Sequence, residues 1–150
     1  MTMTEAPILN RLFSAWVSLA VEFAKGAPDI RAVYVFASSE RIGTSGTMFA
    51  NAYFDQGGTV LAPDHVEGAS VTSNRVGEMQ RILLDDLDAA ETALRHAGLP
   101  APTEYRVFYE PSTGRTDVQL ARENKYIGND ELSPRHGIRY WLGDRAPKNI

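Results

Sequence analysis

A helical repeat of apolar residues that runs directly into a two-residue repeat is the feature that most constrains this fold. Between Asn74 and Ala97 the apolar residues recur every three or four positions, as in an amphipathic helix: Val76, Met79, Leu83, Leu87, Ala90 and Leu94. Gly98 and Pro100 follow, a combination typical of the end of a helix. We therefore expect a long helix that leads directly into the next strand.

The segment from Pro102 to Ala121 is predicted to form a β-hairpin. Its first strand alternates between two sets of side chains: Tyr105, Val107 and Tyr109 on one face, and Glu104, Arg106 and Phe108 on the other. This period of two is typical of a half-buried strand. Pro111 presets φ for a turn, and Gly114 can adopt the positive φ that closes it.

The other segments supply the remaining elements of the fold. Helical spacing, β-branched and aromatic content, and turn residues predict the following order: a helix over Ile8–Lys25, strands over Ile30–Ala37, Met48–Asp55 and Thr59–Ala62, a mobile loop over Ser38–Thr47, and a short last helix after Ser133-Pro134. The complete order is α-β-β-β-α-β-β-α. Because helices do not separate every pair of strands, we expect an α+β fold with an antiparallel sheet packed against two long helices.

Composition limits the class of protein. The 150 residues are 43% hydrophobic and 23% charged, which is ordinary for one globular domain over residues 1–150. We expect frayed ends at about residues 1–6 and 143–150. The apolar runs are too short to span a bilayer, cysteine is absent, and the net charge is −4, so a cytoplasmic protein that binds neither membrane nor nucleic acid directly is predicted.

An acidic cluster lies on the predicted second long helix: Asp85, Asp86, Asp88 and Glu91. Arg81 and Asp85, and likewise Glu91 and Arg95, are four residues apart and would pair along the helix. A solvated helix face explains the cluster, and an acidic docking surface is the alternative.

The sequence contains no recognisable catalytic or metal-binding pattern, so we expect no enzymatic activity and no cofactor. The three histidines are isolated from one another, and each is interpreted as a surface or structural residue: His65, His96 and His136. Trp16 and Trp141 lie on apolar helical stripes and are predicted to be core residues. Tyr126 and Tyr140 lie on no such stripe and are predicted to be exposed aromatic residues.

The hairpin resembles that of the YezG-like immunity proteins. The resemblance rests on the following segments: Leu99–Glu104 (LPAPTE), the turn Tyr109–Gly114 (YEPSTG), Asp117 in the following strand and, more loosely, Val33–Val35, Met48–Asp55 and Pro134 with Trp141-Leu142. The family order is similar, with a leading helix, a meander, a long helix, a hairpin and a short helix. The second hairpin strand departs from the family because it ends in Gln119–Glu123 and is less acidic and aromatic.

The resemblance implies a small cytoplasmic antitoxin that binds and occludes the toxic C-terminal domain of a cognate secreted toxin, often a nuclease, without catalysis. Acidic side chains would then match a basic partner. The expected contact residues are acidic positions outside the predicted core stripes: Asp55, Asp64, Glu67, Asp85, Asp88, Asp117 and Glu123.

Two alternatives remain open from the sequence. A small-molecule-binding domain or enzyme would use the concave sheet face, and it would require Glu40, Tyr53 and His65 to converge in one pocket. A homo-oligomer would instead cover an exposed apolar face with a second copy.

Overall fold

The computed structural model describes residues 5–148, and its helices and strands follow the predicted order. Their bounds are as follows: α1 Glu5–Phe23, β1 Ile30–Ile42, β2 Ser45–Gln56, β3 Thr59–Leu61, α2 Ser73–His96, β4 Glu104–Glu110, β5 Arg115–Ala121 and α3 Gly137–Leu142. Short 3-10 helices cover three further segments: Pro63–His65, Pro134–His136 and Gly143–Arg145.

The five strands form one antiparallel sheet in the order β3-β2-β1-β4-β5. β1 lies at the centre, where Val35 pairs with Ala52 of β2 on one side and with Val107 of β4 on the other. β3 and β5 are the outer strands. This architecture confirms the predicted α+β class with an antiparallel sheet and two long helices.

One face of the sheet packs against α1 and α2. The apolar stripe predicted for α2 is confirmed, because Leu83, Leu87 and Leu94 are fully buried in this core. Trp16 of α1 is also fully buried, and its indole Nε1 donates a hydrogen bond of 3.1 Å to the carbonyl oxygen of Leu83. This bond joins the two long helices above the sheet.

The opposite face of the sheet forms a second core under the C-terminal segment 122–148. Tyr34 and Phe36 of β1 are buried there against Tyr126, Ile138 and other apolar residues. β1 is therefore buried on both faces, with Val33 and Val35 in the core under the helices and Tyr34 and Phe36 in the second core. The sheet is a middle layer, with the long helices on one side and a mostly irregular segment on the other.

The predicted mobile loop over Ser38–Thr47 is wrong. β1 continues to Ile42 and β2 starts at Ser45, so only a tight turn at residues 43–44 separates them. Ser39 and Glu40 can be buried in this part of β1 because both have internal partners: the Ser39 hydroxyl donates to Glu91, and the Glu40 carboxylate accepts from the backbone of residues 125–127.

The predicted frayed ends are also too wide. Glu5 already belongs to α1, is buried and pairs with Arg122. Near the other end Ala146 is buried in the second core, and Nη2 of Arg145 donates a hydrogen bond of 2.6 Å to the Tyr34 hydroxyl. These contacts hold both ends of the described chain, whereas residues 1–4 and 149–150 of the predicted ends lie outside the described residues.

Candidate functional site

A groove of about 280 Å³ runs between α1 and α2 on the outer side of the helical layer. It is lined by the following residues: Pro7, Ile8, Arg11, Leu12 and Ala15 from α1, and Asp86, Ala89, Ala90 and Ala93 from α2. The groove exists because α2 presents alanine side chains to the gap, and these are too short to fill it. Leu12 and Ala90 are buried and form its apolar floor.

Three aspartates of α2, Asp85, Asp86 and Asp88, are referred to as the acidic rim, and of these Asp86 lines the groove. Asp85 pairs with Arg81 at 3.0 Å, as the four-residue spacing predicts, and both side chains are well exposed. Such an exposed pair contributes little to stability, about 0.3–0.5 kcal/mol. Asp88 is exposed, and among the described residues its carboxylate forms no hydrogen bond or ion pair.

Asp86 is the half-buried member of the acidic rim and lines the groove itself. Burial raises the pKa of its carboxyl, and the neighbouring negative charge of Asp85 raises it further. Within residues 5–148 the Asp86 carboxylate forms no ion pair or hydrogen bond. The fold therefore holds a carboxylate partly out of water and next to a like charge, and Arg11, which lines the same groove, forms no ion pair with it.

The predicted contact residues fall on three separate surfaces. Asp85 and Asp88 are exposed residues of α2, and neither of them lines the groove. Asp117 and Glu123 belong to the β5 edge of the sheet, where Asp117 pairs with Arg115 at 2.6 Å. Because strand order places β5 at the far edge from β3, these two cannot share a flat surface with the third group.

The third group lies at the β2–β3 end of the molecule. Asp55 Oδ1 accepts a hydrogen bond of 2.8 Å from the backbone N–H of Gly58 and so closes the β2–β3 turn. Asp64 is exposed beside His65 in a 3-10 helix, and the Glu67 backbone bonds the side chain of Gln56. The Asp55 side chain thus has a local structural role, which short acceptor side chains near turns commonly have, whereas Glu67 takes part only through its backbone.

Glu91 does not belong to the exposed acidic cluster, contrary to the sequence-based prediction. It is buried, and it accepts hydrogen bonds from the hydroxyls of Ser39, at 2.8 Å, and Tyr105, at 3.2 Å. Burial raises the pKa of its carboxyl, while these two hydrogen bonds act in the opposite direction. The predicted pairing with Arg95 is not formed, because Arg95 bonds Thr92.

Two further buried carboxylates hold the C-terminal segment on the sheet, and sequence reasoning missed both. Glu40 accepts hydrogen bonds from the backbone N–H groups of Lys125, Tyr126 and Ile127 at 2.6, 3.0 and 2.8 Å. Glu104 pairs with Lys125 and Arg106 and accepts a bond of 3.1 Å from the Tyr126 hydroxyl. Buried charge is stable here because each carboxylate has several donors.

These contacts explain why only one of the two tyrosines predicted to be exposed is exposed. The prediction that Tyr126 is exposed is wrong. Tyr126 is buried, because its backbone N–H donates to Glu40 and its hydroxyl donates to Glu104. Tyr140 is 42% exposed, as predicted, and it stacks on Tyr126 with ring centroids 6.2 Å apart. Trp16 and Trp141 both pack in the cores, as predicted.

The residues required for a pocket on the concave face do not converge. Glu40 is enclosed by residues 125–127, Tyr53 borders a cavity of about 430 Å³, and His65 borders a different one of about 650 Å³. Among residues 5–148, no three histidine, aspartate or glutamate side chains are grouped closely enough to hold a metal ion. The convergence of Glu40, Tyr53 and His65 that a small-molecule site on the concave face would require is therefore not found.

No protein-family model and no curated protein sequence matches this chain. Neither long helix of the described chain, nor any other, combines the length and apolar character needed to cross a bilayer.

Proposed function

We propose that this chain is an immunity protein, an antitoxin that binds the toxic C-terminal domain of a cognate secreted toxin in the cytoplasm and occludes it. The expected toxin is a nuclease, whose substrate groove is basic. The single observation that carries the proposal is the unpaired, half-buried Asp86 at the rim of an apolar groove. The hairpin resemblance supplies the class of partner.

The acidic rim is electrostatically unfavourable in the free protein. Asp86 is partly desolvated beside Asp85, and the raised pKa of its carboxyl reports that the ionised form is disfavoured in the free protein. A lysine or arginine side chain from a partner would relieve both effects. Binding therefore gains from a cation at this place more than at a fully solvated carboxylate.

The groove supplies the apolar part of the same interface. Its alanine-lined walls and buried floor would accept an aliphatic or aromatic side chain of the partner, because such side chains gain most when they enter an apolar recess. The favoured partner surface therefore combines an apolar anchor with flanking basic residues. Occlusion of a nuclease groove by this surface requires no catalytic group on the antitoxin.

The test is binding to the toxic domain encoded by the neighbouring gene. The wild-type chain should form a stable 1:1 complex and suppress the toxin activity. We expect the Asp85→Lys/Asp88→Lys double variant to bind at least about tenfold more weakly at low salt, with a smaller loss at high salt, since salt screens exposed charges.

The matched control is the Asp117→Lys/Glu123→Lys double variant, which makes the same charge change on the β5 edge. It should retain nearly the wild-type affinity. No complex at micromolar concentration would overturn the proposed function. Equal losses in the two double variants, or losses that do not depend on salt, would overturn the assignment of the groove as the binding surface.

A further inference from the structure

β5 leaves one long side of the sheet open. Arg115–Ala121 is the last strand in the sheet order, and it pairs only with β4 among the described residues. The side chains of residues 115–119 are exposed, and Val118 is one of the exposed large hydrophobic residues, at 38%. The core under the two long helices reaches Leu120 of β5, whereas residues 115–119 of the strand are exposed.

The open edge at the opposite side of the sheet is protected, and β5 is not. β3 pairs only with residues 54–56 of β2. Beyond this pairing, Asn51 Oδ1 accepts a hydrogen bond of 2.9 Å from the backbone N–H of Ala52, so that this N–H is not available to another strand. The side-chain amide of Gln80 in α2 donates a hydrogen bond of 3.1 Å to the same Asn51 oxygen. Side chains that cover an edge in this way block pairing with another strand.

β5 lacks each of the common protective features of an edge strand. It contains no proline and no lysine, and its register with β4 is continuous from end to end, without a bulge. Its two charges neutralise one another, because Nε and Nη2 of Arg115 bond Asp117 Oδ2 at 3.0 and 2.6 Å. A regular strand edge whose two charges are paired with one another, and which has an apolar residue at its centre, is a template for another strand.

We propose that β5 pairs antiparallel with β5 of a second copy of this chain, centred on Val118, to form a two-fold symmetric dimer with a continuous ten-stranded sheet. This pairing sets Val118 against Val118, Asp117 against Gln119 and Thr116 against Leu120 of the second copy. The side-chain amide of Gln119 can donate to the Asp117 carboxylate. Directly opposed residues in such a pair lie on the same face and interact.

The sequence of β5 selects this register over its neighbour. Opposed residues must lie on the same face of the sheet, and successive residues of a strand alternate between faces. The two-fold axis must therefore pass through a residue of β5 and not between two residues. A centre at Asp117 would set the two Asp117 carboxylates against one another. The centre at Val118 pairs the whole strand, places an apolar pair in the middle and sets no like charges directly opposite. A closed symmetric dimer also removes both open β5 edges at once.

The mass in solution tests the dimer, and a cysteine variant tests its register. We expect light scattering to give twice the monomer mass at about 100 µM. The Val118→Lys variant should be monomeric, since it adds lysine to the edge, whereas Val21→Lys, which alters an exposed valine of α1, should remain dimeric. Both variants should melt cooperatively.

The chain has no cysteine, so Val118→Cys introduces its only thiol. Mild oxidation should link two such chains through residue 118, and Ile42→Cys, at an exposed hairpin end, should form little of the linked dimer under the same conditions. A monomeric wild type at about 100 µM, a dimer that survives in a folded Val118→Lys variant, or equal cross-linking of the two cysteine variants overturns the proposal. The toxin-binding variant changes Asp85 and Asp88 of α2, which lie outside β5, so the loss of toxin binding and the loss of the dimer are measured independently. Its control changes one β5 residue, Asp117, and the mass of that control is therefore measured beside its affinity.

Discussion

The Ser39 hydroxyl donates a hydrogen bond of 2.8 Å to Glu91 Oε1 and thereby joins β1 to α2 inside the main core. Both residues are buried, and the Tyr105 hydroxyl of β4 completes the site at 3.2 Å from Glu91 Oε2. A carboxylate at this place is paired but still poorly solvated, so its protonation is coupled to folding.

Glu91→Gln is expected to change how stability depends on pH. Burial raises the pKa of the Glu91 carboxyl above its ordinary value of 4.5, so the folded chain binds this proton more tightly than the unfolded chain. The stability that this proton contributes is present below the unfolded pKa and is lost as pH rises through the folded pKa. Relative to wild type, the variant should therefore gain stability as pH rises from the ordinary value of 4.5 through the higher pKa of the folded state.

Urea unfolding across this pH range measures the difference in free energy between Glu91→Gln and wild type. The control is Glu91→Leu, which leaves Ser39 and Tyr105 without their acceptor and should lose about 1–3 kcal/mol at every pH. Stability curves of wild type and Glu91→Gln that stay parallel would contradict the coupling.

Glu40→Gln is expected to loosen the C-terminal segment. The Glu40 carboxylate accepts hydrogen bonds from three consecutive backbone N–H groups, those of Lys125, Tyr126 and Ile127. Glutamine is uncharged and offers only one acceptor oxygen, and hydrogen bonds to charged groups contribute about 1.5–3 kcal/mol each. Hydrogen exchange at residues 125–127 should accelerate by at least about tenfold, since that corresponds to 1.4 kcal/mol.

The matched change for this measurement is Glu123→Gln, which removes an exposed carboxylate from the same segment. It should leave exchange at residues 125–127 unchanged. If both variants exchange at the same rate, the backbone of this segment is not held by Glu40.

The sequence predicts the elements of this fold far better than the positions of its buried charges. The alternation of β4 and the helical stripe of α2 each identify a core face, because apolar periodicity is a direct consequence of burial. Glu91 lies four residues after Leu87 and three before Leu94, so it belongs to that stripe by position. Its charge was the misleading signal, since grouping it with Asp88 placed it on the wrong face.

The layer formed by residues 122–148 was the least predictable part. Apart from the short last helix, its polar sequence has no helical or strand period, and it is held by Glu40 and Glu104, which are distant in the chain. Such pairing depends on tertiary contacts that local pattern does not encode. The groove between α1 and α2 was missed for a related reason: alanine supports a helix equally well whether or not a neighbour fills the space beside it.

Leu87→Asp is expected to unfold the protein. Leu87 is fully buried between α2 and the sheet, so the variant would lose its packing and bury a carboxylate without a partner. Loss of a large apolar side chain alone costs about 2–5 kcal/mol, and the unpaired charge adds to it. Thermal melting followed by circular dichroism should lose its cooperative transition. Asn74→Asp adds the same charge at an exposed position of α2 and should melt like wild type.

Two glycine-to-alanine changes should act in opposite directions. Gly137 begins α3 against the second core, and a Cβ atom there would lie 2.0 Å from the Phe36 ring, which is fully buried. The ring cannot move without displacing its neighbours, so Gly137→Ala should destabilise the protein by about 1–3 kcal/mol. Gly77 lies within α2, and a Cβ atom there would meet nothing within 4 Å.

Because helical alanine is favoured over glycine where space is free, Gly77→Ala should stabilise by about 0.4–1 kcal/mol. Urea unfolding of the two variants beside wild type measures both shifts under identical conditions. The comparison isolates packing against Phe36, since the two changes add the same methyl group to a helix. A Gly137→Ala variant that gains stability as Gly77→Ala does would show that α3 does not pack directly on the Phe36 ring.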